Sequence, residues 1–436
     1  MRAITNGAGW GRSDARERFA LAWWVRLAVA ALMAVLVALP ALAAPPPEQA
    51  DDLAPTVILV SFDGWRADYR QRAPLPNLER LIARGVRAEH LVPAFPSKTF
   101  PNHYTIVTGL YPGHHGIVSN SIWDEATGRS FGLSKREEVQ DGMWWGGEPI
   151  WVTAERAGQR AAAMFWPGSE APIKGMRPTY WMPFDGDMPG SERVRKVLGW
   201  IDLPAAERPT FLTLYFEDVD TAGHAGPDLP AVEEALRKVD GYLGELLTGL
   251  DERGLTDRVN LVLVSDHGMA STSLDRVIVL DDYISLDDVR VIDINPTLGL
   301  FPNAAKEEAV YRALKKAHPR LKVYRRHQTP KHWYYRDHPR IPPIVGAVDD
   351  GWQVMTRRTL ERLRARGDAQ VSGQHGYDPR ARSMRGLFVA AGPAFRQGVV
   401  VKPFESVSIY NVLARILGVT PAPNDGDPRV VRRLLR

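Results

Sequence analysis

Apolar residues fall along this chain in two rhythms. Continuous apolar runs with β-branched residues occur at 56–61, 161–166, 210–216, 259–264 and 386–392. Short runs that are apolar on both faces read as buried strands of a parallel sheet. Between them, apolar positions recur at helical spacing over 77–84, 230–253 and 406–417. Leu78, Leu81 and Ile82 share a face of the first helix, which Gly85 ends, and Gly254 closes the second. In the third, Val407, Tyr410, Leu413, Ala414 and Leu417 share a face, so Tyr410 reads as a core residue. Strands alternating with helices predict one large α/β domain over 56–436. From 271 to about 370 the rhythm changes to short alternating runs, one helix and the aromatic segment His332-Trp333-Tyr334-Tyr335. That stretch is expected to be a small inserted α+β cap.

The N-terminus follows neither rhythm. It is basic up to Arg26 and apolar over 27–39, and Ala41-Leu42-Ala43 closes it. A basic region, a short apolar core and a small-x-small end predict a secretory signal peptide over 1–43. The run falls short of the ~20 residues that span a bilayer. Cleavage near Ala43 is therefore expected, with an uncleaved anchor helped by Trp23 and Trp24 as the alternative. A Pro-rich, acidic linker over 44–55 follows. The protein is expected to be exported, periplasmic or secreted, without stable membrane contact once the signal is gone. Net charge is +4, but the first 43 residues hold five Arg against two acids. The remainder is close to neutral, which argues against a surface for a nucleic-acid duplex. The chain has no cysteine. That excludes a thiol nucleophile and Cys-ligated metals, so a tight metal site must use His, Asp or Glu.

Such residues gather where the apolar runs stop. Asp63-Gly64 follows the first strand, at the carboxyl end where ligand sites of open α/β sheets lie. Asp220 and His224, four apart after the 210–216 strand, face one way if the segment is helical. Glu217 and Asp218 compete with them. Asp266-His267-Gly268 ends the next strand, and His375 sits in the Gly-flanked loop Ser372-Gly373-Gln374-His375-Gly376. In Pro96-Ser97-Lys98-Thr99-Phe100-Pro101-Asn102-His103 a hydroxyl stands at a loop-to-helix junction. Taken singly, Thr99 reads as a helix cap. A helix start also stabilises a phosphoryl group or oxyanion. Adjacent His114 and His115 lie on a Gly/Pro loop, should point apart and are read as structural; Asn120 caps a turn or donates its amide to a phosphoryl oxygen. Asp63, Asp220, His224, Asp266, His267 and His375, with Thr99, match the donors that two zinc ions need. Two metals suit in-line displacement at phosphorus.

Val60-Ser61-Phe62-Asp63-Gly64, Lys98-Thr99-Phe100-Pro101-Asn102-His103, Asp220-Thr221-Ala222-Gly223-His224, Ser265-Asp266-His267-Gly268-Met269 and Gly373-Gln374-His375-Gly376 together resemble the motifs of the nucleotide pyrophosphatase/phosphodiesterases. That family belongs to the alkaline phosphatase superfamily, and the likeness is closest to its bacterial, single-domain members. It runs from about Pro55 to Gly418. The resemblance implies a three-layer α/β/α sandwich with a mainly parallel central sheet. It implies one zinc on Asp63, Thr99, Asp266 and His267, and a second on Asp220, His224 and His375. Thr99 would attack, a threonyl-phosphoryl intermediate would form, and water would hydrolyse it with overall retention at phosphorus. Asn120 and the backbone N–H of Phe100 would hold a nonbridging oxygen.

The irregular stretch 167–186 is long and aromatic, as binding loops often are. Relatives that act on nucleotides carry such an insertion. A base is expected to stack between Phe100 and Phe184, the latter standing where the family often has Tyr, with Tyr180 nearby and Tyr215 as a further wall. The expected substrates are nucleoside triphosphates and dinucleoside polyphosphates, cleaved to the 5′-monophosphate. The alternatives are a lysophospholipid or choline phosphodiesterase of the same family and a non-catalytic exported zinc-binding protein. A sulfatase would need a Cys or Ser nucleophile in place of Thr-Phe-Pro-Asn.

Overall fold

A computed structural model of the chain describes residues 53–367 and 371–436. The expected signal peptide and residues 44–52 of the linker lie outside the described residues. Eight strands form the central sheet: β1 (Thr56–Phe62), β2 (Gly85–Ala88), β3 (Ala161–Met164), β4 (Tyr180–Trp181), β5 (Phe211–Phe216), β6 (Val259–Val264), β7 (Phe388–Ala391) and β8 (Val399–Val401). Their order across the sheet is β8-β2-β7-β6-β1-β5-β3-β4. β1, at the centre, pairs in parallel with β5 and β6, and only β7 runs against its neighbours. Every residue of β1, β5 and β6 is buried, which is why these stretches read as continuous apolar runs. The sequence left 167–186 irregular, yet Tyr180–Trp181 adds to the sheet edge beside Ala162 and Ala163. Two residues are too short for periodicity to reveal.

Two groups of helices pack among themselves, giving the three-layer sandwich. α1 (Pro76–Ala83), α4 (Gly190–Ile201) and α6 (Pro230–Glu252) form one group. α2 (Thr99–Thr108), α3 (Ile150–Arg156) and α7 (Ile409–Leu417) form the other. α5 (Asp218–Ala225) follows β5. Between Ala270–Ser273 and Val371–Gln374, which pair with each other, lies a four-stranded antiparallel sheet. It has its own apolar cluster, including Leu298, Leu300, Leu314 and Ile344, yet lies in the same compact unit, Asp51–Arg436. Among the described residues no helix is long and apolar enough to cross a membrane.

Candidate active site

β1, β5 and β6 run side by side in one direction, so their carboxyl ends deliver side chains to one place. Asp63 follows β1, Asp220 and His224 stand on the short helix after β5, and Asp266 and His267 follow β6. Gly64 makes the turn at φ +68°, and a Cβ there would lie 2.8 Å from Asp220 Oδ1. Glycine thus permits both the left-handed turn and the approach of two carboxylate-bearing segments. The competing acids are spoken for: Glu217 pairs with Arg193 at 2.6 Å and Asp218 with Lys238 at 2.7 Å. His115 is buried, hydrogen-bonded to Thr105, and pushed down to about 3 by burial. His114 turns instead to Asp425 at 2.6 Å, so neither histidine joins the site.

The three histidines expected as ligands share one arrangement. His224 Nδ1 meets the Gly373 carbonyl at 3.1 Å, His267 Nδ1 that of Gly268 at 2.9 Å, and His375 Nδ1 that of Ser97 at 3.0 Å. A carbonyl only accepts, so each Nδ1 carries the hydrogen and each Nε2 presents a lone pair. Those Nε2 atoms face carboxylates. His267 Nε2 is 2.9 Å from Asp266 Oδ2 and 3.6 Å from Asp63 Oδ1. His224 Nε2 is 3.3 Å from Asp220 Oδ2, and His375 Nε2 is 3.7 Å from Asp220 Oδ1. Asp63 Oδ1, Asp220 Oδ1 and Asp266 Oδ2 are buried and receive no hydrogen bond. Buried acceptors without donors, facing imidazole lone pairs, are costly unless a cation lies between them. The donor set therefore fits metal ions, and the imidazole orientation by carbonyls is the usual support for such ligands.

The electrostatics agree. Burial and the carboxylates of Asp266 and Asp220 push Asp63 well above the usual carboxylate range. Burial opposes ionisation of Asp266 as well, yet positive charge at the neighbouring His267 and His103 positions holds it well below that range, so the pocket favours a cation beside this carboxylate. His375 is pushed down to about 3 by burial and by neighbouring His267, consistent with a neutral ligand. Donor atoms of Asp220, His267 and His375 lie within 4.8 Å of one another, as do those of Asp63, His103 and Asp266. His103 is not a free ligand. Its Nδ1 donates to the Thr99 carbonyl at 2.9 Å and its Nε2 accepts from Ser61 Oγ at 2.8 Å. The sequence reading gave His103 no role, although it closes the same motif.

Thr99 opens α2 beside this cluster, its Oγ1 3.4 Å from His267 Nε2. The capping position belongs to Lys98, whose side chain makes no capping bond. A family profile described as "Type I phosphodiesterase / nucleotide pyrophosphatase" matches residues 57–378. The chain belongs to this family. An uncharacterized pyrophosphatase/phosphodiesterase of Schizosaccharomyces pombe is 42% identical over 384 residues, covering 85% of this chain and 78% of the relative. Mouse bis(5′-adenosyl)-triphosphatase is 39% identical, covering 86% of this chain and 80% of the relative. The solved structure of murine ectonucleotide pyrophosphatase/phosphodiesterase 5, an inactive Thr→Ala variant in complex with AMP, superposes with a TM-score of 0.82. It is 36% identical and covers 87% of this chain and 100% of that chain.

In this phosphodiesterase the cluster opens into a cavity of about 240 Å³. Asp63, Thr99 and Asp220 line it together with Phe100, Phe184 and Tyr215. Phe184 is 42% exposed and meets Phe165 edge-on at 5.1 Å, leaving ring surface free. Two expected contacts are revised. The Phe100 N–H is not free for a phosphoryl oxygen: it donates to Asn120 Oδ1 at 3.0 Å. An N–H must meet the carbonyl end of the amide, so the Asn120 NH₂ is the group left to donate. Tyr215 is more than a wall, since its hydroxyl donates to Asp63 Oδ2 at 2.7 Å. The partner of that hydroxyl comes from a different strand, which spacing along the chain does not reveal. Tyr215→Phe is expected to weaken metal binding roughly tenfold, read by chelator competition, because supporting bonds to ligands carry about that much affinity.

Proposed function

We propose that this protein hydrolyses phosphodiester and pyrophosphate bonds of nucleotides, releasing nucleoside 5′-monophosphates through a covalent threonyl intermediate. One observation carries the reading: a threonine hydroxyl at a helix start faces ligand lone pairs in a cavity that aromatic rings also line. Two zinc ions are the proposed cofactors, one held by Asp63, Asp266, His267 and Thr99, the other by Asp220, His224 and His375. Zinc there would favour the ionised hydroxyl and offset charge on the phosphoryl oxygens. Thr99 Oγ1 then bonds to phosphorus as the bond to the leaving oxygen breaks. Water cleaves the threonyl phosphoester and restores the hydroxyl. The Asn120 NH₂ holds a nonbridging oxygen, and the positive end of α2 favours the same charge.

Nucleoside triphosphates and dinucleoside polyphosphates are the proposed substrates. The AMP bound to the murine relative and the name of the mouse triphosphatase support this. A base flanked by Phe100 and Phe184 gains roughly 1–3 kcal/mol by stacking, with little base preference. Phe100→Ala and Phe184→Ala are each expected to raise KM for ATP about tenfold and to leave a small diester lacking a base nearly unaffected. The deciding experiment is a panel on purified enzyme: ATP, diadenosine polyphosphates, lysophosphatidylcholine, phosphate monoesters and sulfate esters. Faster turnover of lysophosphatidylcholine than of any nucleotide would move the assignment to a lipid phosphodiesterase. The basic and then apolar N-terminus supports export to the periplasm or medium, which fractionation would test.

A further inference from the structure

Lys98 and Ser119 each stand one residue before a functional side chain, Thr99 and Asn120. Both are buried, at 6% and 5% exposure, and both turn to the same carboxylate. Lys98 Nζ and Ser119 Oγ donate to Asp293 Oδ2, the latter at 2.7 Å. Thr297 Oγ1 adds a third bond to that oxygen at 3.0 Å. Asp293 lies at the end of the strand Val289–Asp293, in the antiparallel sheet inserted between β6 and β7. The Lys98 stem is gripped as well. Gly376, at φ +117°, would put a Cβ 3.0 Å from Lys98 Cε and 2.9 Å from Pro296 Cδ. Gly376 follows His375, whose imidazole is fixed on the carbonyl of Ser97.

We infer that Asp293 is a positioning residue: one carboxylate of the inserted sheet sets the spacing between the nucleophile Thr99 and the amide of Asn120. The Phe100–Asn120 bond links the two segments at one point, and the Asp293 bonds to Lys98 and Ser119 link them at a second. In-line attack needs the hydroxyl and the oxygen-binding amide in register, and a shift of about 1 Å is enough to cost up to 10²-fold in rate. The ammonium of Lys98 is thereby held away from the cavity as half of a buried pair. Removing Asp293 would leave it uncompensated beside Thr99.

The inference rests on the phosphodiesterase reading. Asp293→Asn keeps an acceptor and removes the charge. It should lower kcat on bis(4-nitrophenyl) phosphate about 10- to 100-fold with KM within about threefold and metal content unchanged. Ser119→Ala, which removes one neutral bond and should fold normally, should lower kcat about three- to tenfold. Its effect should vanish in an Asn120→Ala background, because it acts through Asn120, whereas a purely structural role would persist there. Lys98→Met combined with Asp293→Asn should be no slower than Asp293→Asn alone. Orthovanadate, a mimic of five-coordinate phosphorus, gives a readout without turnover and should bind Asp293→Asn about tenfold more weakly. Wild-type protein inert on every phosphodiester would defeat the functional reading, and vanadate affinity would still judge the positioning. Unchanged kcat and vanadate affinity in both single variants, or full additivity of Ser119→Ala with Asn120→Ala, would overturn the inference.

Discussion

Thr99→Ala is expected to lower kcat about 10³-fold or more, with metal content and thermal stability unchanged. The structure separates the two roles that a threonine can hold at a helix start. As a cap it would accept a backbone N–H, and its loss would cost about 1 kcal/mol of stability with activity intact. Lys98 occupies the cap position, and the one hydrogen-bond contact of Thr99 Oγ1 among the described residues is His267 Nε2 at 3.4 Å. Its removal breaks no fold-supporting bond, and six His and Asp ligands stay in place. Thr99→Ser keeps the hydroxyl and should retain measurable turnover. Wild type acid-quenched during turnover of ATP should carry an adenylyl group on the peptide containing Thr99. Full activity in Thr99→Ala, with no trapped adenylyl-peptide in wild type, would show that water attacks directly.

Chelation is expected to abolish activity, and Zn²⁺ to restore it. Without a cation, Asp63, Asp220 and Asp266 face one another across donor-free oxygens. His375→Ala should reduce metal from about two ions to one per chain, because only Asp220 and His224 would remain on that side. Acid should act as a partial chelator. Burial alone would lower the pKa of His267, but the Asp266 carboxylate raises it above the ordinary imidazole value. A proton therefore competes for Nε2 as pH falls, already at pH values above the ordinary imidazole range. Metal occupancy and activity should rise together with pH across that range. Elemental analysis at several pH values would show it, and full activity at less than one metal per chain would refute a two-metal site.

Much of this was legible along the chain. Five of the eight central strands, the helices α1, α6 and α7 and the α/β class follow from local rhythm, because burial on both faces demands uninterrupted apolar residues and burial on one demands periodic ones. The candidate metal ligands announced themselves as Asp and His at strand ends flanked by glycine. Asp220 and His224 were readable as a pair because one helical turn separates them.

What the chain could not declare was every relation between segments far apart in sequence. That the Nδ1 atoms of His224 and His375 rest on the carbonyls of Gly373 and Ser97 depends on packing across 149 and 278 positions. The Tyr215–Asp63 bond joins neighbouring strands 152 positions apart, and Asp293 reaches Lys98 across 195. The Phe100 N–H looked free until Asn120, twenty residues on, folded back to take it. Sequence alone determined which groups can ionise, ligate or attack, because those are properties of side chains. Tertiary structure decided which lone pair points where and which donors are already engaged, because a hydrogen bond needs an angle and about 3 Å, and only the folded chain supplies both.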